Sequence, residues 1–280
     1  MIGVFDSGFG GLSVLRELVR TMPNYHYLYL GDNARAPYGE RSEEEIFQFT
    51  RAGVEFLFKK GAELVVVACN TASTNALRRI QQEILPRHYP YKRVLGIIIP
   101  TVEEVAKTSE TKAIGVLATL ATVASGAYER EFKKVDLGIT VYMEACPGLV
   151  SMIEMGVADG DGFDKMLRHH IRALLSRRPK IDTVILGSTH YALFEKDIIA
   201  YLPRPHVGRR PVVVVSQGKL VAQKLKAYLK RHPEMELKLA RGGERQFFTT
   251  ERSPRVEALA ARFYGARVVF ERVRIDADKR

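Results

Sequence analysis

Tryptophan is absent from this 280-residue chain, and cysteine occurs only twice, at Cys69 and Cys146. Two thiols cannot build a disulfide framework, so the chain is expected to work in a reducing, cytoplasmic setting. No apolar run approaches the ~20 residues of a membrane helix, the stretch at 64–69 being among the longest. The chain opens directly on a strand-like apolar run, with no basic region and apolar core of a signal peptide ahead of it. No His, Cys, Asp and Glu spacing matches a metal site, so no metal is expected.

What is abundant is positive charge: 43 Lys and Arg against 32 Asp and Glu, a formal +11. Its distribution weakens a nucleic-acid reading. Residues 1–200 hold 24 basic and 24 acidic side chains, whereas residues 201–280 hold 19 basic and 8 acidic, which accounts for the whole excess. Those basic residues are dispersed among apolar helix positions without a recognition motif, so neither nucleic acid nor membrane is expected as a partner.

Short apolar runs alternate with helix-period segments. IGVF leads into DSGFGG and then LSVLRELV; HYLYLG precedes a loop and the Ser42-capped SEEEIFQF; AELVVVACNTAS leads into TNALRRIQQEIL. Such alternation implies parallel strands joined by helical crossovers, an α/β fold whose ligands bind beyond the carboxyl ends of the strands. Two internal matches sharpen this. Ile2-Gly3-Val4 recurs as Ile114-Gly115-Val116, an offset of 112, and LVVVACNT at 64–71 is matched by TVILGSTH at 183–190, an offset of 119. They predict two pseudo-symmetric three-layer lobes with mainly parallel sheets and an active site in the cleft between them. The expected division is 1–95 plus 210–280 for a discontinuous first lobe and 96–209 for the second.

In that arrangement Cys69 and Ser188 flank the cleft from opposite sides. Cys69 stands where a buried strand gives way to a helix, whose N-terminus is expected to make the thiol more acidic. Asn70 and Thr71 offer donors for a carboxylate. Asp6 and Ser7 sit in a loop whose glycines let backbone approach a ligand, although their spacing matches neither the dinucleotide fingerprint nor a Walker loop. His190, at the second lobe's equivalent turn, suits general acid or base work. His169 and His170 read as a solvated helix face, and Cys146 as a loop thiol without a partner.

The segments IGVFDSGFGGLSVL, YLGDNARAPYGERS, VVVACNTAS, ATVASGAY, EACPGLV with Glu154 following, ILGSTHY and FFTT together resemble the cofactor-independent aspartate/glutamate racemases, over nearly the whole chain. The resemblance implies an isomerase that interconverts L- and D-glutamate without pyridoxal phosphate or metal, supplies D-glutamate for peptidoglycan, and works as a homodimer. It implies two thiols on opposite faces of the substrate α-carbon, one removing the α-proton and the other returning one. Cys69 matches the first, assisted by Asp6; Glu154 and His190 would assist the opposite face. Ser7, Pro37, Tyr38, Gly39, Asn70, Thr71, Thr119, Thr122, Thr189, His190 and Asp6 would hold the amino acid.

One position departs from the pattern. The resemblance calls for Gly-Cys-Thr-His, and the chain has Gly187-Ser188-Thr189-His190. A hydroxyl is a far weaker acid than a thiol, so impaired racemisation is expected. Three accounts stand open: an engineered replacement of cysteine, a natural serine with His190 or a Ser188–His190 pair as the second acid/base, or another activity on the same scaffold. The alternative activity would be a racemase, isomerase or lyase using Cys69 as its single thiol base, on aspartate for example.

Overall fold

The computed structural model describes residues 1–176, 180–203 and 211–275. Among the described residues, ten strands form two sheets in which every ladder is parallel. In the first, β1 (Ile2–Asp6), β2 (Tyr27–Gly31), β3 (Leu64–Val67), β4 (Arg93–Gly96), β9 (Arg245–Thr249) and β10 (Phe270–Arg272) lie in the order β10-β9-β2-β1-β3-β4. In the second, β5 (Ala113–Ala118), β6 (Thr140–Ala145), β7 (Thr183–Gly187) and β8 (Val213–Val215) lie in the order β6-β5-β7-β8. Strands β1, β2, β3, β5 and β7 are buried along their whole length, which is why they read as unbroken apolar runs rather than alternating ones.

The four-strand order β2-β1-β3-β4 recurs as β6-β5-β7-β8. The register recurs too: Ile2 pairs with Leu64 in the first sheet and Ile114 with Thr183 in the second. These are the positions joined by the offsets of 112 and 119, so the internal match corresponds to a repeated sheet, and the turns after β3 and β7 are equivalent places in it.

Helices follow the strands for local reasons. Ser42 and Glu45 form a full capping box at the head of the helix Glu43–Lys59, with three acidic residues in the first turn, where they complement the helix dipole. The chain crosses to the second sheet through the helix Ile98–Thr108, between β4 and β5, and returns through Gln217–Arg231, between β8 and β9. One core cluster holds Ile2, Val4 and Leu12 of the first lobe together with Ile114, Tyr128 and Val184 of the second, so apolar packing is continuous from lobe to lobe.

Two expectations need correction. The lobe boundary at 209/210 lies outside the described residues, but the strand just after it, expected beside the first lobe, is β8, and its Val213–Val215 pair with Thr183–Ile185 of β7. The return to the first sheet comes only with β9. A three-valine edge strand carries no mark of which sheet it joins. The His169-His170 pair is also split: His169 is exposed, whereas His170 is buried, with Nδ1 3.0 Å from Glu144 Oε1.

Candidate active site

Cys69 follows β3 in extended conformation and caps the short helix Asn70–Asn75. Its Sγ accepts from the Ala72 N–H at 3.4 Å and lies 3.3 Å from Ser7 Oγ. The expected acidification is not what results. Burial, reinforced by the nearby Asp6 carboxyl, pushes the thiol up to about 11, although contacts from Ser7 and Ala72 pull the other way. Six residues of helix and the N–H groups of Ala72 and Ser7 do not make up for the water that an anion loses there.

Asp6, at the end of β1, is fully buried. Its Oδ2 accepts from the Gly8 N–H at 3.1 Å and its Oδ1 from Thr189 Oγ1 at 3.4 Å, the latter a contact between lobes. Burial raises its pKa, and His190 and the N–H groups of Gly11 and Gly8 oppose the rise. The glycine loop that follows presses on the second lobe. A Cβ on Gly8 would meet Glu154 Oε1 at 2.0 Å, and one on Gly10 would meet Thr189 Oγ1 at 2.2 Å. A side chain at Gly10 would also meet the His190 backbone N at 2.9 Å, so the turn after β7 would have to shift, whereas one at Gly8 would displace the Glu154 carboxylate from its place beside His190.

The turn after β7 is built differently. Ser188 is extended, and its Oγ accepts from the His190 N–H at 3.4 Å as a 3-10 turn begins. His190 is buried, with Nε2 2.5 Å from Glu154 Oε1 and its ring edge-on to Phe263. Burial works against the charged imidazole, but the Glu154 hydrogen bond and charge, with Asp6 behind them, outweigh it and raise the pKa. The second turn therefore favours an imidazolium where the first favours a neutral thiol.

Both turns line one small cavity, together with Ser7, Tyr38, Gly39, Thr119 and Val150. Its free space is ≈ 10 Å³, room for about one water. An outer pocket lined by Pro37, Gly39, Thr119, Cys146 and Val150 shares three of these residues and adjoins it. Thr71, Thr119 and Thr122 form a hydroxyl cluster across the lobes, with Thr119 Oγ1 2.9 Å from Thr71 and 3.0 Å from Thr122. Tyr38 donates to the buried Asp32, which also accepts from Arg35 Nε at 2.6 Å. Burial and Asp32 hold the Tyr38 phenol far above its ordinary pKa, so it stays a donor.

Of the residues named from sequence, Ser7, Tyr38, Gly39, Cys69, Asn70, Thr71, Thr119, Ser188, Thr189 and His190 line the cavity. Asp6, Glu154 and Thr122 are not in its lining and act through bonds to residues of the turns, and Pro37 belongs to the outer pocket. Asn70 is in the lining, but its amide is bonded to Gln217 and Tyr128. Val150, Asp32, Gln217 and Tyr128 carry no role in the sequence reading. Val150, Asp32 and Tyr128 lie within quoted motifs, whereas Gln217 lies in none. Among the described residues no group of three or more His, Cys, Asp or Glu could hold a metal ion, and no helix is long and apolar enough to cross a membrane.

Comparison with known proteins gives a consistent picture. The Asp/Glu/Hydantoin racemase family model matches residues 2–223. A curated glutamate racemase from Paracoccus denitrificans is 41% identical over 280 residues, covering 96% of this chain and 98% of its own. The crystal structure of glutamate racemase isoform RacE1 from Bacillus anthracis superposes with a TM-score of 0.86 at 32% identity, covering 98% of this chain and 97% of that one. That of the Francisella tularensis enzyme, solved in complex with D-glutamate, gives 0.83 at 30% identity, covering 99% and 98%.

Proposed function

This chain belongs to the Asp/Glu/hydantoin racemase family, and from that membership we propose that it interconverts L- and D-glutamate as a cofactor-independent racemase, supplying D-glutamate for peptidoglycan. The observation that carries the reading is the small cavity lined by the two equivalent strand-end turns, one bearing Cys69 and the other Ser188 and His190. A homodimer and a cytoplasmic location belong to the same proposal, and sedimentation of the purified protein tests the first.

The chemistry is proton removal from one face of the α-carbon and proton return to the other. Cys69 is the base. A thiol at about 11 is only about 10⁻⁴ ionised at pH 7, so the sulfur needs help. Asp6, its own pKa raised by burial, is a stronger base than an ordinary carboxylate and takes the thiol proton as sulfur takes the α-proton. The substrate ammonium adds the positive charge that favours the thiolate.

On the opposite face His190, held as a cation by Glu154, supplies the proton with Ser188 beside it. An imidazolium of this kind is a good acid and a poor base. The two enantiomers have equal free energy, so inversion has the same kcat/KM in both directions. Exchange without inversion is under no such constraint. The α-proton that faces Cys69 exchanges with solvent faster than configuration inverts.

Incubating each glutamate enantiomer with the protein in heavy water tests this. One enantiomer should gain α-deuterium well ahead of racemisation. Equal, fast uptake into both would overturn the asymmetric scheme, and no uptake into either would overturn the reading as a whole.

A further inference from the structure

Behind the turn that carries Cys69 lies a closed ring of three hydrogen bonds. Asn70 Nδ2 donates to Gln217 Oε1 at 2.7 Å, Gln217 Nε2 donates to Tyr128 Oη at 3.0 Å, and Tyr128 Oη donates to Asn70 Oδ1 at 2.8 Å. Gln217 Nε2 reaches a fourth group, Thr101 Oγ1, at 3.1 Å, and that hydroxyl donates onward to the Ile97 carbonyl at 2.7 Å. Asn70, Gln217, Tyr128 and Thr101 are all buried. Tyr128 has one proton and gives it to Asn70, so it must accept from Gln217; both amides are thereby fixed in orientation. A buried polar ring with every member satisfied admits one arrangement of its parts, which apolar packing does not enforce.

The parts come from both lobes and both crossings. Asn70 follows Cys69 directly and opens the helix Asn70–Asn75 of the first lobe. Tyr128 is on the second-lobe helix Ala127–Val135. Thr101 is on the helix by which the chain leaves the first sheet, and Gln217 is the first residue of the helix by which it begins its return. The cavity has room for about one water, so it must enlarge to take an amino acid, and a parting of the lobes that enlarges it bends the chain at these two crossings.

We propose that Gln217 is a positioning residue: its amide closes a clasp with Tyr128 and Asn70 that holds the Cys69 turn against the second lobe and sets the balance between open and closed sites. The proposal rests on the reading of this cavity as the glutamate site. Gln217 touches no reacting atom. Its loss leaves the closed site as competent as before and makes closure less frequent, which weakens apparent affinity by the fraction of molecules still closed.

The test compares the intact protein with Tyr128→Phe, which removes one hydroxyl, with Gln217→Leu, and with the double variant. Each single variant should raise the Kd for D-glutamate about tenfold, with kcat for α-proton exchange within about twofold of the parent. Amide protection of residues 70–76 should fall while that of β1 and β5 is kept. The double variant should be no weaker than the weaker single one, because a ring broken once is already open. Unchanged affinity in both single variants would overturn the proposal, as would additive losses with protection falling throughout the molecule. If Gln217→Leu fails to fold, Gln217→Glu replaces it, putting an oxygen where Nε2 donates. If the parent protein itself binds no glutamate, the functional reading fails; protection at 70–76 still reports on the clasp, and its retention in Tyr128→Phe overturns it.

Discussion

The turn after β3 and the turn after β7 hold equivalent places in two sheets of matching strand order and register, and they are chemically unlike. One presents a buried neutral thiol beside a buried carboxyl whose pKa burial has raised. The other presents a hydroxyl next to an imidazole whose pKa Glu154 raises against the effect of burial. A repeated scaffold thus delivers two reactive groups to opposite sides of one cavity, while the environment of each, rather than the scaffold, decides whether it acts as base or acid. The difference shows that topological equivalence places groups without making them alike.

Removing the base from the first turn breaks the comparison most completely. In Cys69→Ala, α-proton exchange should fall by about 10³-fold for the enantiomer whose α-proton faces Cys69, within the range that general bases contribute. Residual exchange close to the parent rate would assign proton removal to Asp6 or His190 instead. Making the turns alike is the next largest change. Ser188→Cys should raise racemisation about 100-fold, equally in both directions, because the second face then gains a thiol. No gain would mean that His190 already suffices and that Ser188 sets no limit.

The charge on the second turn can be removed without touching the cavity. Glu154→Gln takes away the bond and the charge that hold His190 protonated, leaving burial to lower its pKa. If protonated His190 is the acid, kcat/KM at neutral pH should drop about tenfold, and the high-pH limb of the profile should move to lower pH. Stability follows the same sign. The raised His190 pKa stabilises the fold fully below the ordinary value near 6.5 and ceases to do so as pH climbs through the folded value, so denaturation midpoints of parent and variant should differ most at acidic pH. An unmoved limb would exclude His190 as the titrating acid.

Much of this was legible before any coordinates, for identifiable reasons. Parallel strands covered on both faces appear as apolar runs, and repeated strand-end turns keep their spacing, so the offsets of 112 and 119 carried the sheet register itself. The allegiance of Val213–Val215 was not legible, because the pairing partner of a short edge strand is decided by residues about 30 positions earlier in the chain. Nor was the acidity of Cys69. A strand-to-helix turn promises a stabilised thiolate, but burial in a core with Phe5, Tyr38 and Ile46 reverses it, and the charge of Asp6, far away in sequence, adds to the rise. The clasp around Asn70 joins residues 58 and 147 positions away from it, and no local pattern announces such a contact.

The smallest effect concerns the other cysteine, and it separates burial from chemistry. Cys146 follows β6 in the second lobe and lines the outer pocket rather than the inner cavity. Burial, with Glu144 nearby, pushes its thiol up to about 12. Cys69 and Cys146 thus hold their protons after unfolded thiols, with an ordinary value of 9.0, have lost theirs. The unfolded state then binds fewer protons, and stability falls as pH rises above about 9. Each thiol should account for about 1 kcal/mol of that loss by pH 10, from ~1.4 kcal/mol per pH unit. In Cys146→Ser the fall in unfolding free energy between pH 9 and 10 should shrink by about 1 kcal/mol, the share of one thiol, while Cys69 and buried phenols such as Tyr38 and Tyr128 carry the rest, whatever the substitution costs at neutral pH. An unchanged slope would mean that the second-lobe thiol ionises freely in the folded protein, and the lobes would then differ in how well they exclude water as well as in their reactive groups.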